Sequence, residues 1–301
     1  MYREAYLVSS PGRFGGIEKS REKALISVLG VPLDSTASFR PGQRFGPLQV
    51  RAVSPELESN AYAGEGYLEE VPFYDEGDIA VAHGDVAESL ERIAKVVQEL
   101  LSEGKRVALI GGEHTLTVGV IKGMRAFGLR PCLLVLDAHL DLRDDYLGVR
   151  YSHASTFRRV LELLGDVPLV YIGSRAFARE EIALARSKPK VLLLPPRSVE
   201  GMGLANVLAS ARRALSECKS VYLSIDMDVY DPSFAPGVGN PEPPGLSPRE
   251  VLPLLSGLVD ERLVGVDVVE LSPPYDPGGV TAVLAAKTLQ EVLISLSQKL
   301  R

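Results

Sequence analysis

The chain has no tryptophan, two cysteines and four histidines in 301 residues. Two thiols, Cys132 and Cys218, are too few for the disulfide framework that staples small secreted folds. Cys132 falls in an apolar run and reads as a small buried hydrophobe. No uninterrupted apolar run reaches the ~18–20 residues that a membrane-spanning helix needs. The start, Met1-Tyr2-Arg3-Glu4-Ala5, lacks the apolar stretch of a secretory leader. The expectation is a soluble, cytoplasmic protein with no membrane partner. There is no block of Lys or Arg, and the net charge is -6. Nucleic-acid binding rests on clustered positive charge, so that class is not expected. The negative balance suits a small cationic substrate. Asparagine occurs three times and glutamine five times, against 21 prolines; few thermolabile amides and many prolines fit a thermophile.

What is present suits a large α/β core. Hydrophobic residues make up 46% of the chain and aromatics 6%, which points to Leu, Val, Ile and Ala packing. Short β-rich apolar runs predict strands at Ala24–Val31, Arg106–Ile110, Cys132–Leu136, Leu169–Ile172, Val191–Leu194, Val221–Ile225 and Leu263–Val268. Helical spacing lies between them. Leu90, Ile93, Ala94, Val97 and Leu101 mark a helix over Val86–Leu101 that Gly104 closes. Leu204, Val207, Leu208, Ala211 and Leu215 mark another, and a last helix runs from about Val280 to Leu300. Alternating β and α implies a parallel sheet with helices on both faces. No repeat or linker divides the chain, so residues 1–301 read as a single domain. In such sheets ligands bind beyond the carboxyl ends of the strands.

The polar motifs obey that rule. His114 follows the strand at 106–110. Asp137, His139 and Asp141 follow 132–136, Asp226 and Asp228 follow 221–225, and Glu270 follows 263–268. Alternate residues of an extended segment face one way, so 137, 139 and 141 can face one site, as can 226 and 228. Any one of these acids could cap a helix or solvate a loop. Together, six carboxylate and imidazole donors without a thiolate suit two hard divalent ions such as Mn²⁺. Water held between two such ions is a strong nucleophile at neutral pH. His153 is off ligand spacing and reads as a proton carrier or as a cap for the helix after it. Glu270 reads as a bidentate partner for a guanidinium or as half of a structural salt bridge. Asp267 reads as structural, and His83 as a surface residue.

These segments together resemble the ureohydrolase (arginase/agmatinase) family, with agmatinase the nearest in pattern. The likeness begins at Arg40-Pro41-Gly42-Gln43-Arg44-Phe45-Gly46-Pro47 and continues through Gly77-Asp78, Gly111-Gly112-Glu113-His114 and Asp137-Ala138-His139-Leu140-Asp141. It runs on through Ile172-Gly173-Ser174-Arg175 and Ser224-Ile225-Asp226-Met227-Asp228 to Glu270. The resemblance implies a three-layer α/β/α domain with a mostly parallel eight-stranded sheet, two Mn²⁺ per chain, urea release from a guanidino group, and a homotrimer or homohexamer. It implies that one ion takes His114, Asp137, Asp141 and Asp226, and the other Asp137, His139, Asp226 and Asp228. It gives Asp141 the proton of the attacking water, His153 the proton for the leaving amine, and Glu270 the guanidinium. It also matches Glu181 to a carboxylate behind the metal site. Arginases carry an Asp where this chain has Ala178, and Asn240-Pro241-Glu242-Pro243-Pro244-Gly245 looks like the agmatinase Pro-Glu-Pro segment. Agmatine is therefore the expected substrate, its amine met by Asp144, Asp145 or Glu242. Leu140 in place of the usual Thr, with Val238 and Asn240, departs from the agmatinase pattern. Aminopropylagmatine, arginine, guanidinobutyrate (through Arg143 or Arg150) and formimidoylglutamate stand as alternatives. The rivals outside the family's activity are a one-metal deacetylase-like hydrolase and a non-catalytic metal-binding relative.

Overall fold

Among the described residues nine strands form, most of them from runs of branched and aliphatic residues: β1 (Leu7–Val8), β2 (Ile26–Val31), β3 (Phe73–Ile79), β4 (Arg106–Gly111), β5 (Cys132–Leu136), β6 (Leu169–Ile172), β7 (Val191–Leu194), β8 (Val221–Asp226) and β9 (Leu263–Val269). A computed structural model describes residues 2–300. All nine strands form one sheet in the order β1-β3-β2-β4-β9-β8-β5-β6-β7. Only β1 is antiparallel, pairing Leu7 with Ile79 at the edge. Alternate residues of the buried strands feed two cores: Cys132, Leu134 and Leu136 face one, Leu133 and Val135 the other. Helices cover both faces. The Val86–Ser102 and Leu116–Ala126 helices pack on one core, and the Pro248–Leu258 and Val280–Leu300 helices on the other.

Most expected strands lie within a residue or two of their predicted bounds. The expected eight strands become nine because the two-residue β1 adds an edge. The sequence reading missed β3. Its segment, Phe73-Tyr74-Asp75-Glu76-Gly77-Asp78-Ile79, is too acidic to read as a buried strand. The acids are tolerated because Arg51, itself buried, forks onto both oxygens of Asp75 at 2.8 Å each and also pairs with Asp78. The two cysteines also depart from expectation. Cys132 is not a lone hydrophobe: it is bonded to Cys218, 86 residues away, because β5 and β8 are neighbours that pair Cys132 with Val221. The last helix, by length and composition, could cross a membrane, but 72% of its most apolar window is buried in the core. It is a core helix, packed with the Pro248–Leu258 helix against one face of the sheet, rather than an exposed apolar rod.

Candidate active site

Four adjacent strands, β4, β9, β8 and β5, bring their carboxyl ends to one rim. The β4 end turns sharply through Gly111-Gly112. A Cβ on Gly112 would lie 1.9 Å from the Leu33 carbonyl oxygen, so only glycine lets the chain pass here. That turn delivers His114 into the interior. Its Nδ1 lies 3.3 Å from Asp137 Oδ2, 3.2 Å from Asp141 Oδ2 and 3.2 Å from Asp226 Oδ2. On the far side of Asp137, its Oδ1 lies 3.7 Å from His139 Nδ1, which in turn is 2.9 Å from Asp228 Oδ2. The two oxygens of Asp137 thus serve two neighbouring groups of donors, {His114, Asp137, Asp141} and {Asp137, His139, Asp228}.

The segments reach this arrangement differently from simple strand alternation. After β5 the chain leaves extended geometry, and Asp141 adopts φ 51°. After Asp226 the chain enters a short 3-10 turn over Met227–Val229. Asp228 donates its N–H to Asp226 Oδ1 at 2.8 Å, and Met227 points into the core. Glu270 also sits at positive φ, 66°. Two non-glycine residues in the left-handed region at one site mark backbone strain held by the surrounding packing.

The donor set fits divalent cations. His114 Nδ1 and Asp137 Oδ2 are buried without a hydrogen-bond partner among the described residues. Buried polar atoms rarely lack partners. Donors placed about 2.1 Å from one hard cation in octahedral geometry lie about 3 Å apart, close to the spacing found around Nδ1. The tautomer agrees. Asp267 accepts hydrogen bonds from Ser224 Oγ at 2.5 Å, Thr117 Oγ1 at 2.7 Å and Tyr222 at 2.5 Å. With its proton committed to Asp267, Ser224 Oγ accepts from His114 Nε2–H at 2.8 Å. Nδ1 is then the nitrogen that faces the carboxylates, and its lone pair is the one a bound cation would take in place of a proton. Asp267, expected to be structural, in this way orients a site histidine.

The electrostatics point the same way. Burial first, then the charges of Asp228 and Asp141, push the Asp137 carboxyl up to about 7. Asp226 is raised well above the usual carboxylate range by burial and the same crowding. Burial also acts to raise Asp228, but the charge and hydrogen bond of His139 hold it down at about 2. Burial pushes Glu270 up to about 8, against the hydrogen bond from His114 N–H and with the help of Glu113. His114 and His139 lie well above the imidazole range, because their carboxylate neighbours outweigh burial. In metal-free protein, groups with raised folded pKa values stabilise most at low pH and lose that contribution as pH rises through those values. Between pH 6 and 8, where exposed carboxylates are already ionised, the melting temperature of chelator-treated protein is expected to fall. Added Mn²⁺ should restore it most at pH 8, where fewer protons compete for the ligands. A chelator-treated melting temperature that rises across this range would contradict the crowding.

Glu270 is held from both sides. Its Oε1 accepts the His114 N–H at 2.7 Å and its Oε2 accepts from Gln43 Nε2 at 3.0 Å. A Cβ on Gly239 would come within 2.5 Å of that Gln43 nitrogen. Nothing in the chemistry of an amide singles out Gln43 in a sequence; its only signal was its place in the Arg40–Pro47 segment. The cluster opens into a cavity of about 300 Å³ whose lining includes His153, Arg143, Tyr146, Phe177 and Glu242. His153 begins a short 3-10 helix that Ser152, not His153, caps. Its ring nitrogens lie 3.3 Å from Thr36 Oγ1 and 3.3 Å from Ser38 Oγ. Glu181 accepts the N–H groups of Leu142 at 2.9 Å and Ala178 at 2.7 Å, and so fixes the loop behind Asp141. Of the acids expected near the substrate's far end, Asp144 pairs with Arg159 at 2.7 Å and Asp145 with the Gly148 N–H at 3.2 Å. Neither lines the cavity, whereas Glu242 does. Arg150 pairs outside it with Glu162 at 2.8 Å. His83 is exposed and away from the site.

A sheet of this order with a carboxylate–imidazole cluster on its carboxyl rim defines a metal-dependent hydrolase of the arginase type. Residues 24–295 match the model of the arginase family. The chain is 34% identical to an agmatinase of Halalkalibacterium halodurans, covering 91% of this chain and 92% of that one. It is 33% identical to a guanidinobutyrase of Pseudomonas aeruginosa over 89% and 85% of the two chains. The crystal structure of agmatine ureohydrolase from Thermoplasma volcanium superposes with a TM-score of 0.82 at 36% identity, covering 92% of this chain and 91% of that one. The chain belongs to the arginase family and is a hydrolase of the linear-amidine class. That membership sets aside the deacetylase-like rival.

Proposed function

We propose that this enzyme is an agmatinase, cleaving agmatine to urea and putrescine with two Mn²⁺ per chain. The observation that carries the substrate is the charge balance at the cavity mouth. Glu242 lines the cavity, and its carboxylate makes no hydrogen bond or ion pair among the described residues. The nearby Arg175 spends its N–H groups on carbonyls, including that of Glu242 itself at 2.7 Å. Arg143, the cation of the lining, is already matched by Glu180 at 3.5 Å and Glu181 at 3.7 Å, and it lies over the Tyr146 ring. The mouth therefore offers an anion with no close partner, which feels Arg175 only through space, and a cation already matched by two acids. That favours an ammonium tail over a carboxylate tail. Ala178, where an acid would be needed to hold an α-ammonium, supports the same reading.

His114, Asp137, Asp141 and Asp226 would hold one ion, and Asp137, His139, Asp226 and Asp228 the other. Two such cations supply Lewis acidity and a water activated at neutral pH. Glu270 orients the guanidinium: each of its oxygens keeps a lone pair beyond the one used by His114 N–H or Gln43, so a planar N–H fork can meet both. An incoming guanidinium also brings the positive charge that favours the ionised form of this buried carboxyl. Asp141 lies beside His114 Nδ1 and accepts the proton of the attacking water. His153, at the edge of the cavity, gives a proton to the leaving amine. The homotrimer or homohexamer reading draws support from exposed apolar side chains around one groove, Tyr62, Phe234, Val280 and Val283.

The test is product release from Mn²⁺-loaded protein given agmatine, aminopropylagmatine, L-arginine and 4-guanidinobutyrate in parallel, with formamide followed for formimidoylglutamate. Agmatine should give the highest kcat/KM. A preference for 4-guanidinobutyrate would mean that Arg143 leaves its acidic partners to take the substrate. Glu242→Gln should raise the KM for agmatine about tenfold with kcat little changed, the loss of about 1.5 kcal/mol of uniform binding to a charged group. An unchanged KM would remove Glu242 from the substrate's far end.

A further inference from the structure

We infer that Thr36 and Glu113 form a relay that fixes the ring tautomer of His153 and so makes its Nε2 the proton-transfer atom. Neither residue touches the metal-binding donors through its side chain, and neither carries chemistry of its own. The inference rests on the role proposed above for His153.

The argument is a count of protons and lone pairs. Glu113 is fully buried and its carboxylate is held in place by the loop that follows β2: Oε2 accepts the N–H groups of Ser35 and Thr36, each at 2.6 Å. Its other oxygen, Oε1, lies 2.9 Å from Thr36 Oγ1. A carboxylate accepts and does not donate, so the single hydroxyl proton of Thr36 points to Glu113. Thr36 Oγ1 then has only lone pairs to offer its other neighbours. One accepts the backbone N–H of His153 at 3.1 Å. The other faces His153 Nδ1 at 3.3 Å. Nδ1 must carry a hydrogen to make that contact, which leaves Nε2 as the nitrogen that takes up and releases a proton. Nε2 faces away from the relay, 3.3 Å from Ser38 Oγ, and both Ser38 and His153 line the cavity. The ring of Tyr146, 5.8 Å from that of His153 and edge to face, limits its rotation. Two further hydroxyls stand nearby, Thr115 Oγ1 at 3.4 Å from Thr36 Oγ1 and Ser152 Oγ at 3.5 Å from Nδ1; Ser152 Oγ also accepts the Ala154 N–H at 3.4 Å, and both contacts are longer than those of the relay.

Carboxylate, hydroxyl and imidazole thus stand in line, with the charge of Glu113 transmitted through one hydroxyl dipole. The design resembles a carboxylate that orients a catalytic histidine directly, but the intervening threonine keeps Glu113 at a distance from the reacting centre. Glu113 and Thr36 are positioning residues, and their effect should appear in the turnover step and in the ring tautomer rather than in substrate binding.

The experiment combines nitrogen NMR with kinetics. With only four histidines in the chain, long-range proton–nitrogen correlations of the metal-free protein resolve each ring, and His153→Asn identifies its signals by their loss. In the unaltered protein, above the ring's pKa, His153 should show a protonated Nδ1 and an unprotonated Nε2. A predominant Nε2–H form there would overturn the inference without any variant. Thr36→Val, which keeps the shape and removes the hydroxyl, should shift the ring toward the Nε2–H form. In Mn²⁺-loaded enzyme it should lower kcat about 10- to 100-fold, the range of losses for groups that orient a functional histidine, with KM within about twofold. Thr36→Ser restores the hydroxyl and should recover most of the lost turnover. A Thr36→Val enzyme with unchanged kcat and tautomer overturns the relay while leaving the His153 role standing. A fully active His153→Asn enzyme would instead sink the reading on which the relay rests.

Discussion

Asp137→Asn is expected to lower kcat by at least about a thousandfold and to cost the protein bound metal. Asp137 is the one side chain whose two oxygens face the two donor groups separately, Oδ2 toward His114 and Oδ1 toward His139. The amide replaces one of those oxygens with an N–H₂ group that can only donate. Whichever way it turns, one group loses a ligand and gains a donor aimed at a cation. If the ions contribute about 4 kcal/mol to the barrier, their loss corresponds to about three orders of magnitude in rate. Elemental analysis should show fewer than two Mn²⁺ per chain, and circular dichroism an unchanged fold, because the substitution is isosteric. An Asp137→Asn enzyme that keeps two ions and most of its turnover would rule out a bridging role for this residue.

The second large effect is on stability rather than rate. Reducing Cys132–Cys218, or replacing both residues with serine, should destabilise the fold without touching the rim chemistry. The bond spans 86 residues, and in the chain-entropy account a loop of that length is worth about 4.5 kcal/mol. For a chain of this size that amounts to a fall of roughly 7 °C in melting temperature. The cysteines lie at the amino ends of β5 and β8, while Asp137 and Asp226 lie at the carboxyl ends of the same two strands. Activity at moderate temperature should therefore survive reduction, even as the melting curve shifts. A reduced protein with an unchanged melting temperature would show that the core alone holds these strands; lost activity in a still-folded reduced protein would show coupling between their two ends.

The parts of this molecule that could be read in its sequence are those where residue type alone specifies the environment. The strands β5, β6 and β7 are apolar throughout, so their limits follow from where polarity returns. The six metal-type donors and Glu270 are readable because carboxylates and imidazoles just past buried strands have few bland explanations when several occur together. Other features depend on partners distant in sequence. The acids of β3 make sense only beside Arg51. Cys132 and Cys218 look isolated until β5 and β8 are known to be neighbours. Thr36 and Gln43 are common polar residues that draw notice only because the fold sets them against His153 and Glu270. The alternation rule for 137–141 and 226–228 grouped side chains that the fold does bring together, but for an incomplete reason, since Asp141 and Asp228 reach the cluster through a left-handed residue and a 3-10 turn.

The strand order has a consequence for how this family varies. The donor cluster and Glu270 stand at or within a few residues of four contiguous strand ends, which anchor them. Arg143, Tyr146, Phe177 and Glu242 instead project from three connecting loops. The donor cluster and the rest of the cavity lining thus sit on different kinds of element, and loops tolerate replacement that strand ends do not. Relatives named for different guanidino compounds can then stand at nearly equal distance from this chain, 34% and 33% identity in the two cases given above. Overall identity is set by the shared scaffold; if the mouth residues choose the substrate as proposed, they contribute almost nothing to it. Exchanging those loops between two such relatives should carry the preference with them and leave the hydrolytic machinery where it was.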